Sequence, residues 1–179
     1  MYKSFLCILF VLILVILKSD TGFAGEITAC FTPGGDCTGE IVKDIGTAHK
    51  SLYVQAYSFT SRPIIYALIN AEKRGVKVKV LLDKTQKNGL GLLLLVQNGV
   101  PVAIDSRVKI AHNKVMIIDN QEVITGSFNF TASAQKRNAE NVVFIRDNVI
   151  AQKYLVNWHS REKVSYPEMR FVGIIATNH

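Results

Sequence analysis

Cysteine is scarce here. Three cysteines in 179 residues exclude a small disulfide scaffold, which needs a dense cysteine framework to fold. Long apolar runs are missing too. The longest, Phe5 to Leu17, has 13 residues, short of the ~20 that a membrane-spanning helix wants. No repeat, linker or low-complexity stretch interrupts residues 26–163. Glycine-rich phosphate loops of the Walker type are absent. Gly126-Ser127-Phe128-Asn129 is not the nucleophile elbow of a serine hydrolase, and Cys30 and Cys37 have no histidine nearby to complete a zinc site. Acidic residues are outnumbered, 14 against 21 basic, for a formal net charge of +7. What is present is apolar material, 49% of the chain, which excludes a disordered protein. A chain this long buries roughly two-thirds of its unfolded surface, so it needs no metal to fold.

Part of the apolar excess sits at the start. Lys3, the run from Phe5 to Leu17 and the small residues up to Gly22-Phe23-Ala24 read as an export signal cut after Ala24. The alternative is an uncleaved anchor that would hold the protein at a membrane. The expected organisation is therefore a signal or anchor over 1–24, one domain over 25–163, and a tail over 164–179 without readable pattern. The expected location is periplasmic or secreted, or membrane-anchored with the domain outside the cytoplasm. Cleavage leaves a charge of +6 and two cysteines, Cys30 and Cys37. In an oxidising compartment two thiols seven positions apart can pair, and a disulfide closing the Phe31–Asp36 loop is expected.

Strand-like and helix-like segments alternate along the domain. Strands are expected over 26–31, 51–56, 76–82, 102–104, 114–118, 122–125 and 142–145. Helices are expected over 40–49, from Pro63 to about Arg74, over 91–98 and over 148–163. This is an α/β domain with helices packed on a sheet. In the strand over 76–82, alternation puts Lys77 and Lys79 on one face and Val76, Val78 and Val80 on the other. With Lys84 nearby, these lysines are candidates for nucleic-acid binding, because backbone recognition rests mainly on Lys and Arg.

The chemistry is concentrated in His112-Asn113-Lys114-Val115-Met116-Ile117-Ile118-Asp119 and Gly126-Ser127-Phe128-Asn129. His112 and Lys114 stand two residues apart at the mouth of a buried strand and project from one face. Ser127 and Asn129 repeat the spacing after the next strand, and Gly126 permits a tight turn before them. If the strands pair, all four converge at one end of the sheet. An ammonium, an amide and a hydroxyl are donors suited to a tetrahedral anion, and imidazole is a competent nucleophile or general acid near neutral pH. The chemistry inferred is attack on phosphorus, with no metal or cofactor.

His-x-Lys, four residues, Asp, six residues, Gly-Ser-x-Asn resembles the signature of the phospholipase D superfamily. The resemblance spans roughly residues 26–163 and is similar above all to small bacterial endonucleases with one motif per chain. Tyr57-Ser58-Phe59-Thr60, Lys73-Arg74-Gly75-Val76, Phe130 after the Gly-Ser-x-Asn turn, and Glu140-Asn141 share it. It implies a phospholipase D-like mixed sheet flanked by helices, and a covalent phosphohistidine on His112. It also implies phosphate held by Lys114, Ser127 and Asn129, and a carboxylate, Glu140, orienting the imidazole. Asp119 and Gly126 would be structural, Asp119 capping its own turn. The family reaction uses two such histidines, and His49, His159 and His179 sit in no similar context. A homodimer joining two copies of His112 is therefore expected. The substrate expected is DNA or RNA, with phospholipid headgroups as the alternative.

Overall fold

Val78, Val80 and Leu82 enter one hydrophobic core, while Leu81, on the alternate face, enters a second. That alternation describes the architecture: a single sheet with a helical layer on each side. The computed structural model describes residues 25–168. The export segment expected over 1–24 and the last eleven residues of the tail lie outside the described residues.

In chain order the elements are β1 (Glu26–Thr32), α1 (Cys37–Gly46), β2 (Ser51–Ala56), α2 (Arg62–Lys73), β3 (Lys77–Asp83), α3 (Leu90–Gln97), β4 (Val102–Asp105), β5 (Lys114–Ile118), β6 (Glu122–Gly126), α4 (Ala132–Lys136), β7 (Glu140–Arg146), α5 (Asn148–Glu162) and β8 (Tyr166–Glu168). The sheet order is β1-β7-β6-β5-β2-β3-β4-β8. The pairs β2–β3 and β3–β4 are parallel and every other neighbouring pair is antiparallel. The mixed α/β sheet is as expected.

One face of the sheet buries Leu52, Val54, Met116 and Ile118 with Ile41, Ile45, Ile64, Ile65 and Leu68 of α1 and α2. The other face buries Tyr53, Val115, Ile117 and Val123 under α5. Ala151 and Trp158 are the buried residues of that helix. Trp158 donates its indole N–H to the Val54 carbonyl at 2.9 Å, which satisfies the one polar atom of the ring and fixes α5 against β2.

Most element ends differ from expectation by one or two residues, and β7 starts at Glu140 rather than 142; three differences go further. The first helix runs over Cys37–Gly46, not 40–49, because the Asp36 carboxylate accepts from the Gly39 N–H at 3.0 Å and so starts the helix early. Cys37 thereby lies 5.5 Å (Cα–Cα) from Cys30, and a disulfide joins them, tying β1 to α1. Helix α4 was not expected. Within the tail, Tyr166–Glu168 pairs with β4 as the sheet's last strand, so the domain extends past residue 163.

Register places the start of β5 and the ends of β2, β3, β4 and β6 at one edge. Ala56 pairs Lys114, Asp83 pairs Asp105, and Gly126 pairs Val142 close to Glu140. His112, Lys114, Ser127, Asn129 and Glu140 gather at this edge.

Candidate active site

Lys114 opens β5 and is buried, while His112, two residues earlier, is exposed. Both project into an open cleft of about 730 Å³ at the sheet edge. The Lys114 ammonium stands 3.1 and 3.2 Å from the two imidazole nitrogens and donates to the His112 carbonyl at 2.6 Å. Burial lowers the Lys114 ammonium below the usual lysine range, with the Glu140 charge acting in the opposite direction.

The turn after β6 works by alternation. Phe128 and Phe130 are buried anchors, and Ser127 and Asn129 between and before them line the cleft. The Phe130 carbonyl accepts from the N–H groups of Thr60 and Ser61 at 2.9 and 2.8 Å, pinning the turn to the loop after β2. Gly126 has φ 152°, and a Cβ there would run into the Asn141 carbonyl. Only glycine lets the strand end and the turn begin at that point.

Glu140 does not hold the imidazole, contrary to expectation. Its two oxygens accept from the Ser127 hydroxyl at 2.5 Å and the Asn138 amide at 2.8 Å. The Ser127 oxygen in turn accepts from the Asn141 backbone and side-chain N–H groups at 3.1 and 3.3 Å. Ser127 is thus fully engaged, its hydrogen turned to Glu140. The Asn129 side-chain amide oxygen is buried with no protein partner.

Asp119 lies at the opposite end of β5. It does not cap its own turn. Its carboxylate reaches across to the loop before β2 and accepts the N–H groups of His49, Lys50 and Ser51 at 2.9, 2.7 and 2.8 Å. Burial pushes its pKa up, but those three bonds outweigh it and hold the carboxyl below its ordinary value. The contact ties the β5–β6 turn to the start of β2 and so fixes the register that carries Lys114.

The three candidate lysines do not converge. Lys77 pairs with Ser51 at the sheet end remote from the cleft. Lys79 forms an ion pair with Glu162 of α5 at 2.6 Å. Lys84 alone follows a strand end on the cleft side, exposed just after Asp83.

The fold adds residues to the site. Tyr57 packs against His112 with the rings tilted by 52° and their centroids 4.6 Å apart, and its ring centre is 5.3 Å from the Lys114 ammonium. Gln55, buried, accepts from the Asn113 amide at 3.1 Å. Tyr154, Asn157 and Trp158 of α5 form the facing wall. Among the described residues, no group of three or more His, Cys, Asp or Glu side chains is placed to hold a metal ion.

A nucleophilic ring beside an ammonium and amide groups, in an open cleft, suits a tetrahedral phosphorus centre flanked by two large substituents. Comparisons with known proteins agree. A family model described as "Cardiolipin synthase, PLD-like domain" matches residues 41–160. The chain is 51% identical over 142 residues to a phospholipase D of Rickettsia prowazekii, covering 78% of this chain and 69% of that one. It is 30% identical over 129 residues to the mitochondrial cardiolipin hydrolase of Canis lupus familiaris, covering 70% and 51%. Among solved structures, Nuc from Salmonella typhimurium, a phospholipase D family member, superposes with a TM-score of 0.76 at 34% identity over 80% of this chain and 98% of that one. NucT from Helicobacter pylori shares the fold, with a TM-score of 0.73 at 22% identity over 80% and 99%.

Fold and cleft define a hydrolase of phosphodiester bonds. The chain belongs to the phospholipase D superfamily, among its small, single-motif, Nuc-type members.

Proposed function

We propose that this protein is a metal-independent, sequence-nonspecific endonuclease that hydrolyses DNA, and RNA by the same chemistry, through a phosphohistidine on His112. An imidazole nitrogen attacks phosphorus and the leaving oxygen departs with a proton from a second imidazole. Water, deprotonated by that second ring, then attacks the phosphohistidine and releases His112. Lys114 and the Asn129 amide stabilise the charge that gathers on the non-bridging oxygens. Ser127 fixes Glu140, whose charge acts on Lys114. The observation that carries this reading is the meeting of His112, Lys114, Ser127 and Asn129 in one cleft.

The second imidazole comes from a second copy in a homodimer whose two-fold axis joins the clefts. Among the described residues no other histidine lines the cleft: His49 is at the Asp119 end of the sheet, and His159 bonds Glu162. His179 lies outside the described residues. The oxidised Cys30–Cys37 pair supports action outside the cytoplasm, with residues 1–24 as export signal or anchor.

The net charge of +7 favours a polyanionic substrate. A second reading, hydrolysis of phospholipid headgroups, is favoured by the Rickettsia relatives, 50–51% identical and named phospholipase D. The full chain is offered supercoiled plasmid and labelled phosphatidylcholine side by side in EDTA. Plasmid nicking is expected. Cleavage of the lipid alone would establish the second reading in its place.

A further inference from the structure

Two segments at the cleft edge of the sheet carry cations and no carboxylate. Lys84 to Leu90 follows β3, and Ser106 to Ile110 follows β4 and leads through Ala111 into His112. Lys84, Lys87, Arg107 and Lys109 are all exposed. The segments touch, since the Lys84 ammonium donates to the Val108 carbonyl at 3.3 Å. The carboxylates that precede them are spent inside the protein. Asp83 accepts the Thr85 and Ala111 N–H groups, and Asp105 takes a two-pronged bond from Arg161 at 2.6 and 2.8 Å. The other nearby carboxylate, Glu168, shares a groove with Lys87; Lys84 adjoins Asp83, whose oxygens are taken by N–H groups, and among the described residues Lys84, Arg107 and Lys109 form no ion pair.

We infer that Lys84, Arg107 and Lys109 form a track for the phosphate backbone of a nucleic-acid strand running from the cleft toward β4. This rests on the nuclease reading and locates its substrate path, which is not along Lys77 and Lys79. An anionic bilayer would also answer to the charge. Membrane-facing loops, however, anchor through aromatic side chains at the headgroup level. These segments hold no tryptophan or phenylalanine, and their exposed apolar groups are Leu90, Val108 and Ile110, at 37–48% exposure. Charge dominates the patch, and charge without base-reading groups is what sequence-independent backbone binding uses.

The test uses the full chain with His112→Asn, which binds without cutting, and compares it with the same chain carrying Lys84→Ala, Arg107→Ala and Lys109→Ala. Affinity for a 30-mer duplex is followed by fluorescence anisotropy against salt concentration. The slope of log K against log salt is expected to fall by about 2 to 3, near 0.9 per lost phosphate contact. In chains that keep His112, the ratio of kcat/KM for the 30-mer to that for a dinucleotide is expected to drop at least tenfold, because a dinucleotide is too short to reach the track. An unchanged slope in a chain that cuts plasmid overturns the track and leaves the nuclease reading standing. A chain that cuts no nucleic acid removes that reading first. Loss of binding to phosphatidylglycerol vesicles with the duplex slope intact assigns the patch to a membrane instead. The substituted residues are exposed, and an unchanged melting temperature confirms that all chains compared are folded.

Discussion

The buried carboxylate of Asp83 accepts the backbone N–H of Ala111 at 2.7 Å, so the end of β3 holds the residue just before His112. Its other oxygen accepts from the Thr85 N–H at 2.9 Å. Burial alone would push this carboxyl up; the two N–H bonds and the Lys84 charge outweigh burial and keep its pKa below the ordinary value. On the proposed mechanism, Asp83 positions the nucleophile through Ala111. Asp83→Asn must turn an amide N–H toward one of the two donors. It is expected to lower kcat roughly tenfold with KM changed less than twofold, and to cost about 1–3 kcal/mol of stability. A destabilised variant with normal kcat would reduce Asp83 to a structural role.

On the proposed mechanism, Lys114 is expected to set the alkaline limit of activity. Burial favours its neutral form, and Glu140 offsets this only in part, so its pKa lies below 10.5. The ammonium is the form that binds phosphate. Activity is therefore expected to fall on the alkaline side at a pH below that of an ordinary lysine. A pH profile of kcat/KM in EDTA measures this. Lys114→Met is expected to lose roughly 10²–10³-fold at neutral pH and to remove that limb. His112→Ala is expected to lose more than about 10³-fold with folding intact.

Much of this was legible from the sequence, for a physical reason. Val115 to Ile118 is buried on both faces, so its apolar run marks a central strand, and Ser127 and Asn129 alternate with buried Phe128 and Phe130. Such periodic patterns are local. What the sequence did not yield depends on partners far along the chain. Tyr57, Tyr154 and Asn157 reach the cleft only because β2 and α5 pack there; the helix over 148–163 is expected from the sequence, but not the sheet face that it covers. Strand β8, three residues with Pro167 at its centre, has no alternation of its own and is a strand because β4 offers it an edge. Lys77 and Lys79 shared a face as expected, but the face proved to be the one α5 covers.

At the end of the sheet remote from the cleft, Glu122 lies buried beside Asp44, with Arg146 between them at 3.1 and 3.0 Å. Burial and the Asp44 charge push Glu122 up to about 7, and Arg146 pulls the other way. Below its ordinary value of 4.5 the carboxyl is protonated in folded and unfolded chains alike. Above that, the unfolded chain releases the proton while the folded chain keeps it until about 7. This group's contribution to stability is thus full below pH 4.5, is lost as pH rises to 7, and changes little beyond. Glu122→Gln is expected to remove roughly 1–3 kcal/mol of the stability difference between pH 4.5 and pH 8. Urea denaturation at the two pH values reads that difference, independent of the variant's overall stability. An identical pH dependence in the two chains would show that Glu122 titrates normally.

The proposed dimer makes a quantitative claim on activity. One chain supplies one cleft-lining histidine among its described residues, and double displacement needs two, so specific activity is expected to fall on dilution as protomers separate. Light scattering should give twice the chain mass at concentrations where activity per chain is constant. Mixed with a tenfold excess of His112→Ala chains under exchange conditions, the wild-type protein should lose about nine-tenths of its turnover, because nearly every wild-type protomer then meets a partner without the second imidazole. Full activity in a species of single-chain mass, or activity indifferent to the mutant excess, would mean that the reaction needs no second copy of His112.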